Sequence, residues 1–407
     1  MDTFLSRTHS YQLFSVAIKR VSKPVPSTAK WVPRISTTRC RPMSTAVGQV
    51  IDLPDGRRLG YHEFGDPTGT PVIYIHGTPD SGVTLSGFED PLAKRLGVRW
   101  IAPDRPGIGN STFYPHRRVL DYPADLRTLI QHLELPNYRI IGTSGGTGYT
   151  LACAQALPRE ELLTVSICAG VGPWEAGQAG QSELIQKLIM VWKDQNEDFV
   201  KYMEGIFLAA AQDPDPTKME AVWREQIKVF EPKDREVLEK PNAFQSAIRV
   251  FRQVYAQGGV GHGREMKLNT EPWGFNVEDI DYEGTRLWYG SADENTSPEM
   301  GRYMAGRLPK AVYKEYPGET HYTIWREELV TEFLKELLGC KNKRLPDEVS
   351  GSAVSQQLYV FGRYKSSKDA KSEQRRHGFD SKARSGGHKP AMPIAEKHAK
   401  IERDKIR

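Results

Sequence analysis

The chain has 407 residues, 38% of them hydrophobic, enough to bury a full core as one large domain or as one domain with an insertion. Its formal charge of +5 is uneven: residues 1–50 carry eight Lys/Arg against Asp2 alone, residues 341–407 carry seventeen against eight acids, and the stretch 51–340 is left acidic at −11. An acidic body argues against a nucleic-acid partner, since a phosphate-tracking surface would have to lie on the tails, and no run approaches the roughly 18 apolar residues of a membrane span.

Residues 1–47 are rich in Ser/Thr and basic residues, with Arg7, Lys19, Arg20, Arg34, Arg39 and Arg41 set among Phe4, Leu5, Leu13, Phe14 and Val16. They lack the apolar core of a secretory signal and are similar to a mitochondrial transit peptide; a disordered leader, or a start at Met43, is the alternative, with a cytoplasmic protein. Cys40, Cys153, Cys168 and Cys340 are too scattered for a disulfide framework or a zinc site, which fits a reducing compartment. No metal or other cofactor is expected.

From Gly48 the pattern predicts strands: VIDLP and RLGYHEFG around an Asp55-Gly56 turn form a hairpin, and PVIYIH, at 71–76, is a continuous apolar run suited to a strand covered on both faces. FEDPLAKRLG reads as a short helix and VRWIAP as a further buried strand, while ADLRTLIQHL, at 124–133, has helical spacing. Then comes RIIGTSGGTGYTLACAQ, at 139–155: a β-branched strand, the five residues GTSGG, and a small, alanine-containing helix. GTSGG alone could be a flexible turn. Strand and helix on either side make it a nucleophile elbow, with the glycines leaving room for a sharp turn that exposes the Ser144 hydroxyl.

LLTVSICA, at 162–169, gives another strand, after which 172–280 is dominated by helical pattern, in SELIQKLIMVWK, EDFVKYMEGIFLAAAQ, KMEAVWREQIKVF and AFQSAIRVFRQVYAQ. Strands return at TRLWY (285–289) and AVYKEY (311–316), and a last helix closes near Leu338. The alternation predicts an α/β fold with a doubly wound, mostly parallel sheet, formed by 48–171 and 281–340, interrupted by the helical insertion 172–280. Beyond Lys341 the chain is basic and is expected to be a largely disordered tail, whose one apolar patch, LYVFGRY at 358–364, reads as a short strand or docking segment.

A serine nucleophile needs a base, an acid to orient it, and oxyanion donors. The order serine, acid, histidine continues downstream: WYGSADENTSP places Asp293 in the loop after one strand, and YPGETHYTIW places His321 in the loop after the next. His321 would take the Ser144 proton and Asp293 would hold its Nδ1–H. Glu294 could replace Asp293 if the loop register differs, and Glu175 is a remoter substitute. His62 reads as structural, and His262, inside the insertion, is poorly placed for catalysis.

Together HGTPDSG, PDRPGIGNS, GTSGGTGYTLACA, YGSADENTSP and PGETHYTIW resemble the capped serine-hydrolase branch of the α/β-hydrolase superfamily over about residues 48–340. The resemblance implies that the insertion, ending in EPWGFNVEDI, is a helical cap over the active site. It implies, too, that the backbone N–H groups of Thr78 and Gly145 face the oxyanion, that His76 orients their loop, and that Asp104 and Arg105 hold a family turn by pairing internally. Trp174, Trp192, Trp223, Trp273 and Phe275 would line an apolar pocket or serve as ordinary core. The implied activity is hydrolysis of a small-molecule carboxylic ester or thioester through an acyl-enzyme. A capped aminopeptidase is the main alternative; a lyase, an acyltransferase or a non-catalytic binding protein on the same fold would fit the same pattern. The acyl and leaving groups and the oligomeric state are not encoded in any motif.

Overall fold

The parallel runs that feed the motif loops lie side by side in the computed structural model, which describes residues 48–339. The leader, the basic tail with LYVFGRY, Cys40 and Cys340 lie outside the described residues. Strands β1 (Gln49–Asp52) and β2 (Arg58–Gly65) form the expected hairpin, turned at Gly56. Strand β3 (Thr70–Ile75), helix α1 (Glu89–Leu96), β4 (Val98–Pro103), α2 (Tyr122–His132), β5 (Tyr138–Thr143), α3 (Thr147–Ala156) and β6 (Leu162–Cys168) follow.

Six helices then precede the next strand: α4 (Glu183–Asp194), α5 (Asn196–Gln212), α6 (Pro216–Gln226), α7 (Pro232–Glu239), α8 (Pro241–Val254) and α9 (Val260–Leu268). The chain returns to the sheet through β7 (Arg286–Gly290), α10 (Pro298–Ala305), β8 (Val312–Tyr316) and α11 (Glu327–Leu337). The sheet order is β1-β2-β4-β3-β5-β6-β7-β8, with β1–β2 and β2–β4 antiparallel and the other five pairings parallel.

Alternation along each strand divides the apolar side chains between two faces. Ile73, Ile75 and Ile140 join Leu126, Leu129 and Leu151 of α2 and α3 in one core. Val72, Tyr74 and Ile141, their sequence neighbours, join Leu92 of α1 and Phe333 and Leu334 of α11 in the other. Trp288 of β7 stacks on Phe333 at 4.3 Å between ring centroids. Each fully buried aliphatic or aromatic side chain contributes about 1.5–3 kcal/mol, so both strand faces resist solvent exposure.

The helical insertion has a core of its own around Phe207, Trp223, Phe251 and Tyr255, into which Val83 and Ile108 project from loops that follow β3 and β4. Helices α7 and α9 were not foreseen: α7 is a short charged segment begun by Pro232, and α9 contains two glycines. Among the described residues no helix is long and apolar enough to cross a membrane.

Candidate active site

Ser144, Thr78, Asp293 and His321 all follow the carboxyl ends of parallel strands, β5, β3, β7 and β8, where ligands of such sheets bind. At the β5–α3 junction Ser144 has φ of 47°, a left-handed conformation that costs a non-glycine residue about 1–3 kcal/mol. The surroundings enforce it. Ser144 O accepts hydrogen bonds from Val171 N at 3.0 Å and Thr147 Oγ1 at 2.8 Å. A Cβ on Gly142 would lie 1.9 Å from Thr150 Oγ1, and one on Gly146 would lie 2.5 Å from Ile75 O, so only glycine permits the elbow to close.

Asp293, 2% exposed, accepts at Oδ1 from the backbone N–H groups of Asn295 (2.8 Å) and Thr296 (2.9 Å). Its Oδ2 accepts from Thr296 Oγ1 at 2.9 Å and from His321 Nδ1 at 2.8 Å. Burial opposes a charged imidazolium at His321, but the Asp293 carboxylate, reinforced by Asp234, outweighs it and holds the ring above its ordinary 6.5. With Nδ1–H spent on Asp293, Nε2 is left as the basic atom. His321 and Ser144 line the same cavity. Among the described residues no hydrogen bond joins Ser144 Oγ to Nε2; such bonds are commonly long until substrate is bound.

The loop after β3 brings Gly77 and Thr78 against the elbow: a Cβ on Gly77 would lie 3.1 Å from Ser144 Cβ, and one on Gly145 would lie 2.6 Å from Thr78 Oγ1. His76 is buried and neutral. Its Nδ1–H donates to Gly77 O at 2.9 Å, its Nε2 accepts from Arg105 N at 3.2 Å, and burial together with the Arg105 guanidinium pushes its pKa down to about 3.

Asp104 and Arg105 do not pair with each other, contrary to the expectation from sequence. Successive residues leaving a strand point to opposite sides: Asp104 contacts His62 Nε2 at 3.1 Å and Gly82 N at 2.8 Å, while Arg105 reaches the insertion. Arg105 Nε donates to Glu265 Oε2 at 2.6 Å, and its Nη atoms donate to the carbonyls of His76 and Gly77. Arg117 also donates to Glu265, as does Tyr149 OH at 3.1 Å. Burial alone would raise the Glu265 carboxyl, but Arg105 and Arg117 overcome it and hold the pKa down at about 2. Sequence reading missed Glu265, whose partners lie up to 187 residues away.

The cavity has a volume of about 1280 Å³ and is walled by strand-end loops on one side and by the insertion on the other. Leu184, Ile185, Leu188 and Ile189 of α4, with Met266 and Met300, make much of its surface apolar; Glu231, Asp234 and Glu294 are carboxylates on it. Of the aromatics in question, Trp174 and Trp192 line it, whereas Trp223, Trp273 and Phe275 pack in hydrophobic cores. Glu294 borders the cavity, Glu175 is exposed, and Asp293 is the carboxylate on His321. His262 is buried against Tyr255 OH at 2.7 Å and Phe199, away from the cavity.

The profile of the alpha/beta hydrolase fold matches residues 70–328. The chain is similar to a proline iminopeptidase of Neisseria meningitidis, 24% identical over 278 residues that cover 64% of this chain and 86% of that protein. It is also similar to a proline iminopeptidase of Xylella fastidiosa, 32% identical over 118 residues, 27% of this chain; the match spans only 36% of that relative's length. Among solved structures, a hydrolase from Pseudomonas aeruginosa matches with a TM-score of 0.51 and 15% identity over 73% of this chain and all of that one. An esterase from Rhodococcus matches with a TM-score of 0.51 and 13% identity over 72% of this chain and 99% of that one, a likeness of fold.

Proposed function

The chain belongs to the α/β-hydrolase fold family, and from that premise we propose that it is a serine hydrolase that cleaves a carboxylic ester or thioester carrying an apolar acyl group. The observation that carries this reading is the 2.8 Å bond from His321 Nδ1 to a buried Asp293, with His321 and a strained Ser144 on one cavity wall.

In the first step Ser144 Oγ attacks the acyl carbon as its proton passes to His321 Nε2, and the carbonyl π electrons move to oxygen. The resulting oxyanion is stabilised by the N–H groups of Thr78 and Gly145; losing one such donor costs about 2.7–4 kcal/mol of transition-state stabilisation. Collapse expels the alcohol or thiol, protonated by His321, and leaves the acyl group on Ser144. Water then repeats the sequence and releases the acid. Asp293 stabilises the imidazolium formed in each half-reaction. The α4 side chains supply an apolar wall for the acyl chain, and the insertion acts as a cap that shields the site from water.

An aminopeptidase is the second reading. It is favoured by the proline iminopeptidase relatives and by the Glu231, Asp234 and Glu294 carboxylates on the cavity, any of which could meet a substrate ammonium.

A fluorophosphonate probe tests the nucleophile: wild type is labelled and Ser144→Ala is not. Equal labelling of Ser144→Ala would place the nucleophile elsewhere. Turnover of p-nitrophenyl esters of rising chain length supports the esterase reading, and turnover confined to N-terminally free aminoacyl amides replaces it with the second.

A further inference from the structure

Asn269 sits immediately after α9, and its backbone N–H completes the helix by donating to Glu265 O at 3.2 Å. Its side chain is not used in that cap, nor in any hydrogen bond among the described residues. Instead it borders the cavity together with Thr78, Ser144 and Gly145.

Its position there is close. A Cβ built on Gly145 would lie 2.8 Å from Asn269 Nδ2 and 2.6 Å from Thr78 Oγ1, so the carboxamide and the Thr78 side chain converge on the peptide that follows the nucleophile. The absence of a side chain at Gly145 is what lets the insertion reach that point.

The same carboxylate registers both sides. Glu265, one helical turn before Asn269, is anchored by Arg105 and Arg117, and Arg105 in turn holds the carbonyls of His76 and Gly77, the two residues ahead of Thr78. A donor at the C-terminal cap of α9 and a donor on the β3 loop are therefore fixed relative to each other by one ion-pair network.

We propose that Asn269 is a further catalytic residue, whose carboxamide N–H donates to the oxyanion of the tetrahedral intermediate beside the N–H groups of Thr78 and Gly145. This rests on the serine-hydrolase reading above. Unlike the backbone donors, this one can be removed by a side-chain substitution.

The test is steady-state kinetics with a p-nitrophenyl ester on wild type, Asn269→Leu and Asn269→Asp, with active-site titration by a fluorophosphonate to count competent enzyme. Leu keeps the size without a donor; Asp keeps the shape and can only accept. The expected result is a fall in kcat of about 10²-fold or more in both variants, with KM within threefold of wild type. A trifluoromethyl ketone, which forms a tetrahedral oxyanion on the serine, loses affinity by a similar factor.

A kcat within threefold of wild type in both variants, or a loss that falls wholly on KM, overturns the assignment while leaving Ser144 in place. Absence of fluorophosphonate labelling in wild type overturns the serine-hydrolase reading itself, and the Asn269 role with it. Because titration counts competent sites, a variant that folds poorly still reports its kcat.

Discussion

Glu265→Gln is the sharpest single test of how the molecule is held together. The carboxylate is 1% exposed and is met by Arg105, Arg117, Tyr149 and, at 3.3 Å, Thr78 Oγ1. The amide keeps the shape but leaves two guanidinium groups, 0% and 2% exposed, without a counter-charge. Breaking a buried pair in this way costs about 3–5 kcal/mol. The carboxyl itself gives a second route to the magnitude. Its pKa lies at about 2 in the folded chain against an ordinary 4.5, which corresponds to about 3 kcal/mol of stability at neutral pH.

The sign follows from the direction. A depressed carboxyl stabilises the fold above its unfolded value, and that stability is lost as pH falls from about 4.5 towards about 2, where Glu265 takes up a proton. For a domain of this size the loss at neutral pH lowers Tm by about 6–10 °C. The assay is thermal melting of wild type and Glu265→Gln at pH 7 and again near pH 3, where the difference between them shrinks. A Tm within 2 °C of wild type at pH 7, or a gap that widens in acid, refutes the reasoning.

The raised pKa of His321 sets the acid limb of activity: kcat/KM falls as pH drops through a value above 6.5, because imidazolium cannot accept the Ser144 proton, and Asp293→Asn moves that limb to lower pH in a pH–rate profile. The same Asp293→Asn change lowers kcat by about 10⁴-fold, whereas Glu294→Gln keeps it within twofold, since Asp293 and not Glu294 is the carboxylate on Nδ1. Gly142→Ala drives a Cβ into Thr150 Oγ1 and lowers stability by about 1–3 kcal/mol by chemical denaturation; adding Thr150→Ala, which removes that oxygen, restores part of the loss.

The sheet was readable from sequence because parallel strands covered on both faces appear as continuous apolar runs, as in PVIYIH and VRWIAP. The elbow and the loops bearing Asp293 and His321 were readable because strand end, turn and reactive residue are contiguous. The insertion was less so. VGHGREMKL carries Gly261 and Gly263, which weaken a helix, yet α9 forms because a Cβ at Gly261 would lie 2.4 Å from Gly107 O: contact with the core, not propensity, decides it. Glu265 and Asn269 escaped for the same reason. The residues they meet come from segments more than a hundred residues away, and no local spacing records them.

Two acidic residues of the insertion brace opposite sides of the proposed chemistry. Glu265 holds Arg105, and through it the loop that carries Thr78; Asp234 on α7 accepts from Thr320 Oγ1 and, at 3.4 Å, from Tyr322 N, the residues on either side of His321. Burial raises the Asp234 carboxyl, with the Thr320 hydroxyl offsetting part of that rise, whereas Glu265 is held far below its ordinary value. The β3-loop anchor is thus an ion-pair network and the histidine-loop anchor chiefly hydrogen bonds to hydroxyl and backbone. High salt and acid act unequally on such contacts, but both loops are tied to helices that the core strands do not contain. The insertion is therefore part of the site's geometry rather than a cover placed over a site already complete.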